Sequence, residues 1–353
     1  MAYWLAVCEE GLESFVADEV KQIKGRVHWQ ERGCLVFAAA KGLNRENTVA
    51  NNLGVWLGSV GSFSKGPEGL AELAGLFAGL DLSAPLALVT GKLGLSEKPT
   101  FRVTATRSGE HSYNSQQIAA ALGEVLYERE GWPVDLENYE LEVLAIVVDS
   151  VCHLAFLITP GGINPRLRIV HAPASLNYQV ARAMVRLANL QQADVILDPM
   201  CGAGTLLVAA GLACPTAQLT GGDLDPDILP LARSNLEAQG LTATLAVWKA
   251  QALPLEEASV DIVLSNLPFG LRVGSHADNQ KLYPAFFTEL ARVVRPGGQL
   301  LLLTTEVALV KETLRNQTGL ELYNSWRLKV GGLSPVLFRL KRAPGEEPGH
   351  GGT

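Results

Sequence analysis

Several features that mark whole classes of protein are scarce or missing in this sequence. No run approaches the roughly 20 apolar residues of a membrane-spanning helix, and residues 2–8 meet Glu9 and Glu10 without a basic leader. The five cysteines are odd in number and scattered, and no C-x-x-C pair occurs, which argues against a disulfide framework and a structural zinc. We therefore expect a cytoplasmic protein with reduced thiols, no membrane partner and no metal, and we take it to be a monomer.

Charge is also scarce. Only 18% of the 353 residues are charged, 48% are hydrophobic, and the formal net charge is −7. This is the composition of a globular protein that is long enough for two or three domains. The acidic balance excludes a general basic coat for nucleic acid, so any RNA binding has to rest on a local patch.

One short stretch carries side chains suited to chemistry on an amine. The apolar residues 262–264 predict a buried parallel strand, and ligands bind just past the carboxyl ends of such strands. There the Asn266 side-chain oxygen and the Leu267 carbonyl can accept hydrogen bonds from an NH2 group, while Pro268 fixes the turn. Phe269 offers a flat face on which a base can stack. Taken by itself, the stretch is equally compatible with a Pro-Phe turn that closes a sheet edge.

A glycine loop precedes this turn by about sixty residues. Residues 195–205 predict a strand, a tight loop and the start of a helix, with Asp198 before the loop and Thr205 opening the helix. Gly202 and Gly204 remove side chains where a ligand approaches the backbone. A third glycine is missing before the helix, which argues against a dinucleotide-binding fingerprint.

Charged residues follow the next two predicted strands. Asp223 is placed where the ribose hydroxyls of a nucleoside ligand need a carboxylate acceptor. Asp225 precedes Pro226 and is predicted to cap the next helix. Lys249 follows the third strand, and its ammonium group cannot accept a hydrogen bond from an adenine amino group.

These patterns, in this order, resemble the motifs of the class I amino-methyltransferases, which transfer a methyl group from S-adenosylmethionine to a nucleobase or amide nitrogen. The resemblance implies a Rossmann-like domain with S-adenosyl-L-methionine as cofactor and Asp198 on its ammonium group. Lys249 stands where that family has an aspartate that accepts from adenine. The implied cofactor contacts are Asp198, Pro199, Cys201, Gly202, Gly204, Thr205, Asp223, Leu224, Ala250 and Asn266, and the implied catalytic residues are Asn266, Leu267, Pro268 and Phe269.

The front of the chain predicts a different function. Its first sixty or so residues predict the order βαββαβ, with a helix over residues 44–52 capped by Asn44, which is compatible with a ferredoxin-like domain. The pattern Phe-Arg-Val-x-x-x-Arg-x-Gly-x-His over residues 101–111 resembles a THUMP domain, an RNA-binding module of tRNA-modifying enzymes. By that resemblance Arg102, Arg107 and His111 are candidate phosphate contacts for the 3′ end of tRNA. Surface pairing with acidic residues of the next helix is the alternative.

The predicted fold class is α/β, with a C-terminal Rossmann-like methyltransferase domain behind a ferredoxin-like domain and a THUMP domain. The predicted boundaries are residues 1–64 for the ferredoxin-like domain, 65–162 for the THUMP domain, 163–178 for a linker, 179–342 for the methyltransferase domain and 343–353 for a disordered tail. Arg166 and Arg168 in the linker and Arg272 after the turn are further candidate RNA contacts.

The whole chain resembles the THUMP-domain tRNA guanine-N2 methyltransferases of the TrmN type. That resemblance implies formation of N2-methylguanosine at position six of the tRNA acceptor stem, with the acceptor stem and 3′ end as the RNA partner. The guanine leaves its stack, N2 attacks the methyl group in line, and the proton leaves to solvent because no histidine or carboxylate stands in the motif. The alternatives are rRNA guanine-N2, position-ten tRNA guanine or adenine-N6 as target, and a non-catalytic RNA-binding protein that retains the fold.

Overall fold

The described residues form two seven-stranded sheets. The computed structural model describes residues 1–45, 48–159, 169–170, 175–192, 194–270, 275–316, 319–330 and 332–344. Its contacts divide the chain into two units, one with residues 1–8 and 13–165 and the other with residues 9–12 and 166–353. The boundary predicted between residues 64 and 65 falls inside the first unit and stays a prediction. Arg166, Arg168 and Arg272 lie outside the described residues.

The first unit is built on a mixed sheet. Its described strands are β1 (Ala2–Val7), β2 (Arg26–Glu31), β3 (Cys34–Ala39), β4 (Asn52–Gly61), β5 (Phe101–Ser108), β6 (Leu141–Val148) and β7 (Val151–Leu157). Its described helices are α1 (Glu13–Gln22), α2 (Gly69–Ala78), α3 (Ser83–Leu93) and α4 (Ser115–Glu130). The strand order is β2-β3-β1-β4-β7-β6-β5, and β5 pairs parallel with β6. β6 and β7 form an antiparallel hairpin.

This sheet curls so strongly that distant strands meet. Trp29 on β2 stacks on His153 of β7, with ring centroids 4.0 Å apart, although three strands lie between them in the sheet order. At the end of the same curl, Arg32 in the β2–β3 turn donates from Nη1 to the Ser108 hydroxyl at 3.1 Å. Strand β5 and the β2–β3 turn, which belong to opposite edges of the sheet, therefore share one surface.

One local prediction in this unit is wrong. The described residues between 44 and 51 form no helix, because the buried Glu19 carboxylate accepts from the Val49 amide at 3.0 Å and from the Thr48 hydroxyl at 2.5 Å. The chain instead runs from β3 through this connection into β4, so the observed order starts βαβββ. Helix α4 begins with Asn114 as its N-cap, in a capping box with Gln117.

The second unit is a doubly wound sheet with an antiparallel end. Its described strands are β8 (Val195–Asp198), β9 (Gln218–Asp223), β10 (Thr244–Val247), β11 (Val260–Asn266), β12 (Val294–Thr304), β13 (Leu320–Arg327) and β14 (Val336–Arg342). Its described helices are α5 (Tyr178–Ala188), α6 (Thr205–Ala213), α7 (Leu229–Glu237), α8 (His276–Val293) and α9 (Val307–Asn316). The strand order is β10-β9-β8-β11-β12-β14-β13. β13 and β14 pair antiparallel at one end of this sheet.

The parallel strands β8 to β12 bring their carboxyl ends to one edge of this sheet. The core beneath that edge is apolar, with Phe286 and Phe287 of α8 packed against strand residues such as Val263 and Leu302. Polar side chains at the strand ends therefore sit above a close-packed floor. This is the edge at which ligands bind in open α/β sheets.

Candidate active site

The glycine loop lies at this edge between β8 and α6. Gly202 and Gly204 have φ angles of 49° and 79°, a left-handed conformation that favours glycine. A Cβ on Gly204 would lie 3.2 Å from the Cβ of Ala232, so the loop is also closely packed on its inner side. The amide of Gly202 donates to the Asp223 carboxylate at 2.9 Å. The end of β9 thus holds the loop in place.

Asp223 is bound on both carboxylate oxygens, by Gly202 on one and by the Asp225 amide on the other at 3.1 Å. Each oxygen has a second lone pair, which leaves the carboxylate able to accept from ribose hydroxyls. Leu224 beside it, a predicted cofactor contact, is an apolar side chain that is 67% exposed. Asp225 accepts from the Asp227 amide at 2.9 Å and lies outside α7, whose N-cap is Ile228, so the predicted capping role of Asp225 is wrong.

Trp248 packs against the glycine loop, a contact that the sequence patterns did not predict. Its indole nitrogen donates to the Pro199 carbonyl at 3.0 Å. A Cβ on Gly222 would lie 2.1 Å from the Trp248 ring, so only glycine fits there. The Gly222 carbonyl accepts from the Cys201 amide at 2.9 Å. The adjacent glycines 221 and 222 at the end of β9 were the signal that a large ring packs against this strand.

Lys249, after β10, stands where the resemblance implies an aspartate. Its side chain is exposed, and within the described part of the chain its ammonium group has no hydrogen-bond or ion-pair partner. Ala250 next to it is buried. The Lys249 carbonyl accepts from the Ala252 amide at 2.9 Å, which closes the turn after β10. The position therefore supplies a cation where the resemblance implies an acceptor for adenine.

Asp198 is a buried carboxyl group at the end of β8. Burial, together with the nearby Asp223 carboxylate, raises its pKa to about 8, against the lowering effect of hydrogen bonds from the Met200 amide and the Ser265 hydroxyl. Those bonds measure 3.3 and 3.2 Å. An ammonium group placed here would favour the ionised carboxylate. The residue therefore fits the predicted contact with a cationic amino group.

Asp198→Asn is expected to raise the thermal unfolding midpoint of the ligand-free protein, and the gain should grow with pH. The folded carboxyl group has a pKa of about 8, whereas the unfolded one titrates near 3.8. Between these values the folded state binds a proton that the unfolded state lacks, so stability from this group falls as pH rises through that window. Asparagine carries no such charge.

Thermal scans of parent and variant across this window check the expectation. Asp227→Asn serves as control because that carboxyl group is exposed at the same edge. A gap between parent and Asp198→Asn that stays constant with pH would show that Asp198 is already ionised at neutral pH.

The turn after β11 leaves two acceptors open. The Asn266 side-chain oxygen is buried and receives no hydrogen bond from a described residue. The Leu267 amide donates to the Leu303 carbonyl at 2.9 Å, while no donor among the described residues reaches the Leu267 carbonyl. An orphaned buried oxygen costs about 1–3 kcal/mol unless a partner arrives. The arrangement is suited to a ligand that brings N–H donors.

The other carbonyls of this turn are occupied from behind. Pro268 accepts from Asn279 and Tyr283 on α8, each at 3.0 Å, and Phe269 accepts from the Thr305 hydroxyl at 3.1 Å. The sequence patterns missed these residues. The signal was the spacing of Asn279 and Tyr283, which at i and i+4 share one face of a helix.

A carboxylate and a histidine also lie beside the turn, although none stands in the motif itself. Glu306 and His276 form a pair with 2.8 Å between Oε2 and Nδ1. A Cβ on Gly270 would lie 2.7 Å from Glu306 Oε1, so this pair borders the end of the turn.

Cations gather at one end of the curled sheet in the first unit. Arg32, Lys65, Arg107 and His111 surround Asp149, and we call these five residues the Asp149 cluster. Lys65 and Arg32 approach the Asp149 carboxylate at 2.7 and 3.8 Å, His111 Nε2 lies 2.6 Å from its carbonyl, and Arg107 lies 3.5 Å from His111. The hydrogen bond and charge of Lys65 lower the pKa of Asp149.

The predicted RNA contacts fall into two groups in the structure. Arg107 and His111 belong to the Asp149 cluster, where the curl of the sheet adds Arg32 and Lys65, two cations that the sequence patterns did not group with them. Arg102 instead pairs with the buried Glu142 at 2.9 Å and stacks over the Tyr139 ring at 4.0 Å. Its guanidinium is thus held within the protein, and its RNA contact stays a prediction.

The described residues contain no group of three or more His, Cys, Asp or Glu side chains able to hold a metal ion. No single helix among them is both long and apolar enough to cross a membrane, and α2 and α3 meet the length and composition criteria only as a pair bent by 79°.

Comparisons with known proteins agree with both halves of this structure. A family model described as "RMKL-like, methyltransferase domain" matches residues 165–335, and a THUMP domain model matches residues 90–156. The chain is 34% identical to a tRNA (guanine(6)-N2)-methyltransferase of Thermus thermophilus, over 69% of this chain and 72% of that protein. The crystal structure of TrmN from Thermus thermophilus matches with a TM-score of 0.76 and 27% identity, over 97% of this chain and 100% of that one.

Two mammalian relatives are longer. The tRNA (guanine(6)-N(2))-methyltransferase THUMP3 of Bos taurus is 31% identical over 69% of this chain, and the U6 snRNA (guanine-N(2))-methyltransferase THUMPD2 of the same species is 32% identical over 59%. The matches cover 51% and 41% of those proteins, so the chain spans about half the length of such relatives or less. The predicted α/β fold class, with THUMP and class I methyltransferase domains, is confirmed. The chain belongs to the THUMP-domain tRNA guanine-N2 methyltransferase family.

Proposed function

We propose that this protein transfers a methyl group from S-adenosylmethionine to N2 of guanine in tRNA, at position 6 of the acceptor stem. The observation that carries the proposal is the pair of open acceptors at the carboxyl end of β11. The Asn266 side-chain oxygen is buried without a donor, and the adjacent Leu267 carbonyl has none among the described residues. An exocyclic amine brings two N–H groups, one for each acceptor.

Such an amine is a poor nucleophile because its lone pair is delocalised into the ring. Two acceptors on its hydrogens stabilise the positive charge that develops as the nitrogen attacks. They also fix its orientation toward the methyl group, which is the larger part of catalysis in a transfer between two bound partners. The Phe269 ring is half-buried beside them and gives the flipped guanine a face to stack on.

The residues at the neighbouring strand ends fit the cofactor. S-adenosylmethionine would supply an electrophilic methyl group on its sulfonium. Asp198 would bind its ammonium group, the Asp223 carboxylate its ribose hydroxyls, and Leu224 its adenine. A Cβ on Gly202 would meet no atom within 4 Å, so the ligand can approach the backbone of the loop there.

The RNA is bound, in this proposal, through the Asp149 cluster. Of its three permanently charged side chains, Arg32 and Lys65 pair with Asp149, and Arg32 also lies 3.5 Å from Glu31. Arg107 instead donates to the Gly109 carbonyl at 2.9 Å. In a protein of net charge −7 this is a local excess of positive charge. Part of the cluster lies within the matched THUMP segment, residues 90–156. Phosphate groups are the ligands that such a cluster attracts.

Replacing Arg32 and Arg107 together with alanine is expected to weaken tRNA binding and to flatten its salt dependence. Each lost phosphate contact lowers the slope of log K against log salt by about one, so the pair should lower it by roughly two. Binding titrations over a range of salt concentrations measure both effects.

The control is Lys21→Ala, because Lys21 is an exposed cation of the same unit that pairs with Asp18 on α1 at 2.8 Å. A double variant with the parental affinity and slope would remove the Asp149 cluster from the RNA interface.

The choice of RNA rests on the relatives. Those of Thermus thermophilus and Bos taurus are named for guanine 6 of tRNA, while THUMPD2 is named for U6 snRNA, and all three act on guanine N2. A second candidate is therefore the same chemistry on a guanine of U6 snRNA. Position 6 is proposed because the relative that is most fully covered by this chain among these three is a tRNA enzyme.

Mapping of methylated nucleosides tests the proposal. Purified protein is incubated with S-adenosylmethionine and either tRNA or U6 snRNA transcripts, and the modified nucleoside is located by mass spectrometry. We expect N2-methylguanosine at position 6 of the tRNA, lost when that guanine is replaced with adenine. Methylation that persists in this transcript, or appears only in U6 snRNA, would contradict the proposed target.

A further inference from the structure

The carbonyl group of Pro268 receives two hydrogen bonds from one helix. Asn279 Nδ2 and the Tyr283 hydroxyl on α8 each lie 3.0 Å from its oxygen. A carbonyl oxygen has two lone pairs, so both are used. Asn279 is 1% exposed and Tyr283 is 0% exposed, and water therefore does not compete for either bond.

The direction of each hydrogen bond follows from the neighbours. Asn279 Nδ2 lies between the Pro268 carbonyl and Glu306 Oε1, at 3.0 and 3.2 Å, and both neighbours are acceptors. The amide group must therefore turn its NH2 toward them. Tyr283 donates to Pro268 and lies 2.7 Å from the Thr304 hydroxyl, which can then donate to Tyr283. Burial raises the pKa of Tyr283, so the phenol keeps its proton.

The peptide groups on both sides of the open Leu267 carbonyl are held as well. Before it, the Leu267 amide is bound to the Leu303 carbonyl of β12 at 2.9 Å. After it, Pro268 is bound by α8 and Phe269 by the Thr305 hydroxyl. The ring of Pro268 fixes the φ angle that joins the Leu267 carbonyl to the Pro268 carbonyl. Little freedom remains for the intervening carbonyl, so its direction is set by its neighbours.

We propose that Asn279 and Tyr283 are positioning residues, which fix the direction of the Leu267 carbonyl and so hold it in register with the Asn266 side-chain oxygen. The inference rests on the proposed function, because its effect on rate needs an amine to be oriented. Acceptors that already point at the developing charge need no reorganisation during the reaction. Without the two donors, the Pro268 peptide can rotate, and the carbonyl before it loses its fixed direction.

The test uses Tyr283→Phe, which keeps the packed ring and removes the hydroxyl, together with Asn279→Ala and the double variant. We expect kcat for tRNA methylation to fall about tenfold in each single variant and further in the double variant. The Kd for S-adenosylmethionine and the KM for tRNA should stay within about twofold of the parent, because neither residue is assigned a contact with them. A general loss of structure would move all three quantities.

Thr288→Ala is the matched control. Thr288 lies on the same helix, and its hydroxyl also bonds a backbone carbonyl, that of Pro284 at 3.0 Å, away from the turn. Its kcat should equal that of the parent. If the double variant does not fold, Tyr283→Phe alone decides, and a parental kcat in Tyr283→Phe would overturn the proposal.

A second readout needs no activity and separates this inference from the proposed function. Hydrogen exchange followed by mass spectrometry should show faster exchange in the peptide over residues 260–270 in Tyr283→Phe than in Thr288→Ala. Unchanged exchange would overturn the positioning role even in an active enzyme. If the parent methylates no guanine, the proposed function fails, and the exchange measurement still decides whether α8 holds the turn.

Discussion

Asn266→Ala is expected to lower kcat by roughly 10²–10³-fold, the effect of removing one preorganised polar group that acts on the transition state. The Asn266 side-chain oxygen is buried and without a donor, so in the free protein it contributes no hydrogen bond that the variant would lose. The fold should tolerate the change. The KM for tRNA and the Kd for S-adenosylmethionine should change little, because the interaction strengthens only as charge develops on the amine.

Single-turnover methylation of tRNA measures this effect, and Phe269→Ala is its comparison. The ring stacks on the base as soon as the base has flipped, so Phe269→Ala should raise the apparent KM as well. A near-parental rate for Asn266→Ala would reduce Asn266 to a turn residue. In that case a non-catalytic RNA-binding protein with a methyltransferase fold becomes the better description of this chain.

Asp223→Ala should weaken binding of S-adenosylmethionine by about 1.5–3 kcal/mol, the range for hydrogen bonds to a charged group, or roughly 10- to 150-fold in Kd. The variant loses the acceptor for the ribose hydroxyls. It also releases the Gly202 amide, which the carboxylate holds at 2.9 Å in the glycine loop. Both losses act on the same ligand, so the effect should lie toward the upper part of the range.

Calorimetric titration of folded variants settles the assignment. Asp225→Ala is the control, because its carboxylate binds the Asp227 amide in the turn before α7. We expect the control to keep the parental affinity. The opposite ranking, with a weak Asp225→Ala and an unchanged Asp223→Ala, would move the ribose contact to Asp225.

The parts of the site that lie within one continuous stretch of sequence were predictable. The glycine loop and the turn at Asn266 each combine a strand with the residues that follow it, and local patterns are enough to find them. Their meeting at one sheet edge follows from parallel strand order. The position of Asp198, Asp223 and Asn266 at neighbouring strand ends is of this kind.

Parts of the site that depend on packing between distant segments were not predictable. The hydrogen bond from Tyr283 to the Pro268 carbonyl comes from α8, and the Trp248 ring fills the space beside Gly222. The helix prediction over residues 44–52 was wrong for the same reason, because hydrogen bonds to the buried Glu19, which lies far away in the sequence, outweigh local helix preference there. The Asp149 cluster requires the curl of the sheet, and the alternation of apolar and polar residues within single strands does not predict that curl.

The pairing of β4 with β7 has a consequence for how the first unit is made. Gly54 of β4 is paired with Leu157 of β7, and nearly all of the intervening chain folds into elements of the same unit. Contacts between such distant residues form slowly, because the entropy cost of closing a long loop comes before the contacts stabilise the fold. While the ribosome makes the chain, β1 to β4 can assemble early. The side of β4 that pairs with β7 stays open until residue 157 has emerged. Nascent chains of this length therefore carry an open strand edge, the kind of surface that other chains pair with and chaperones cover.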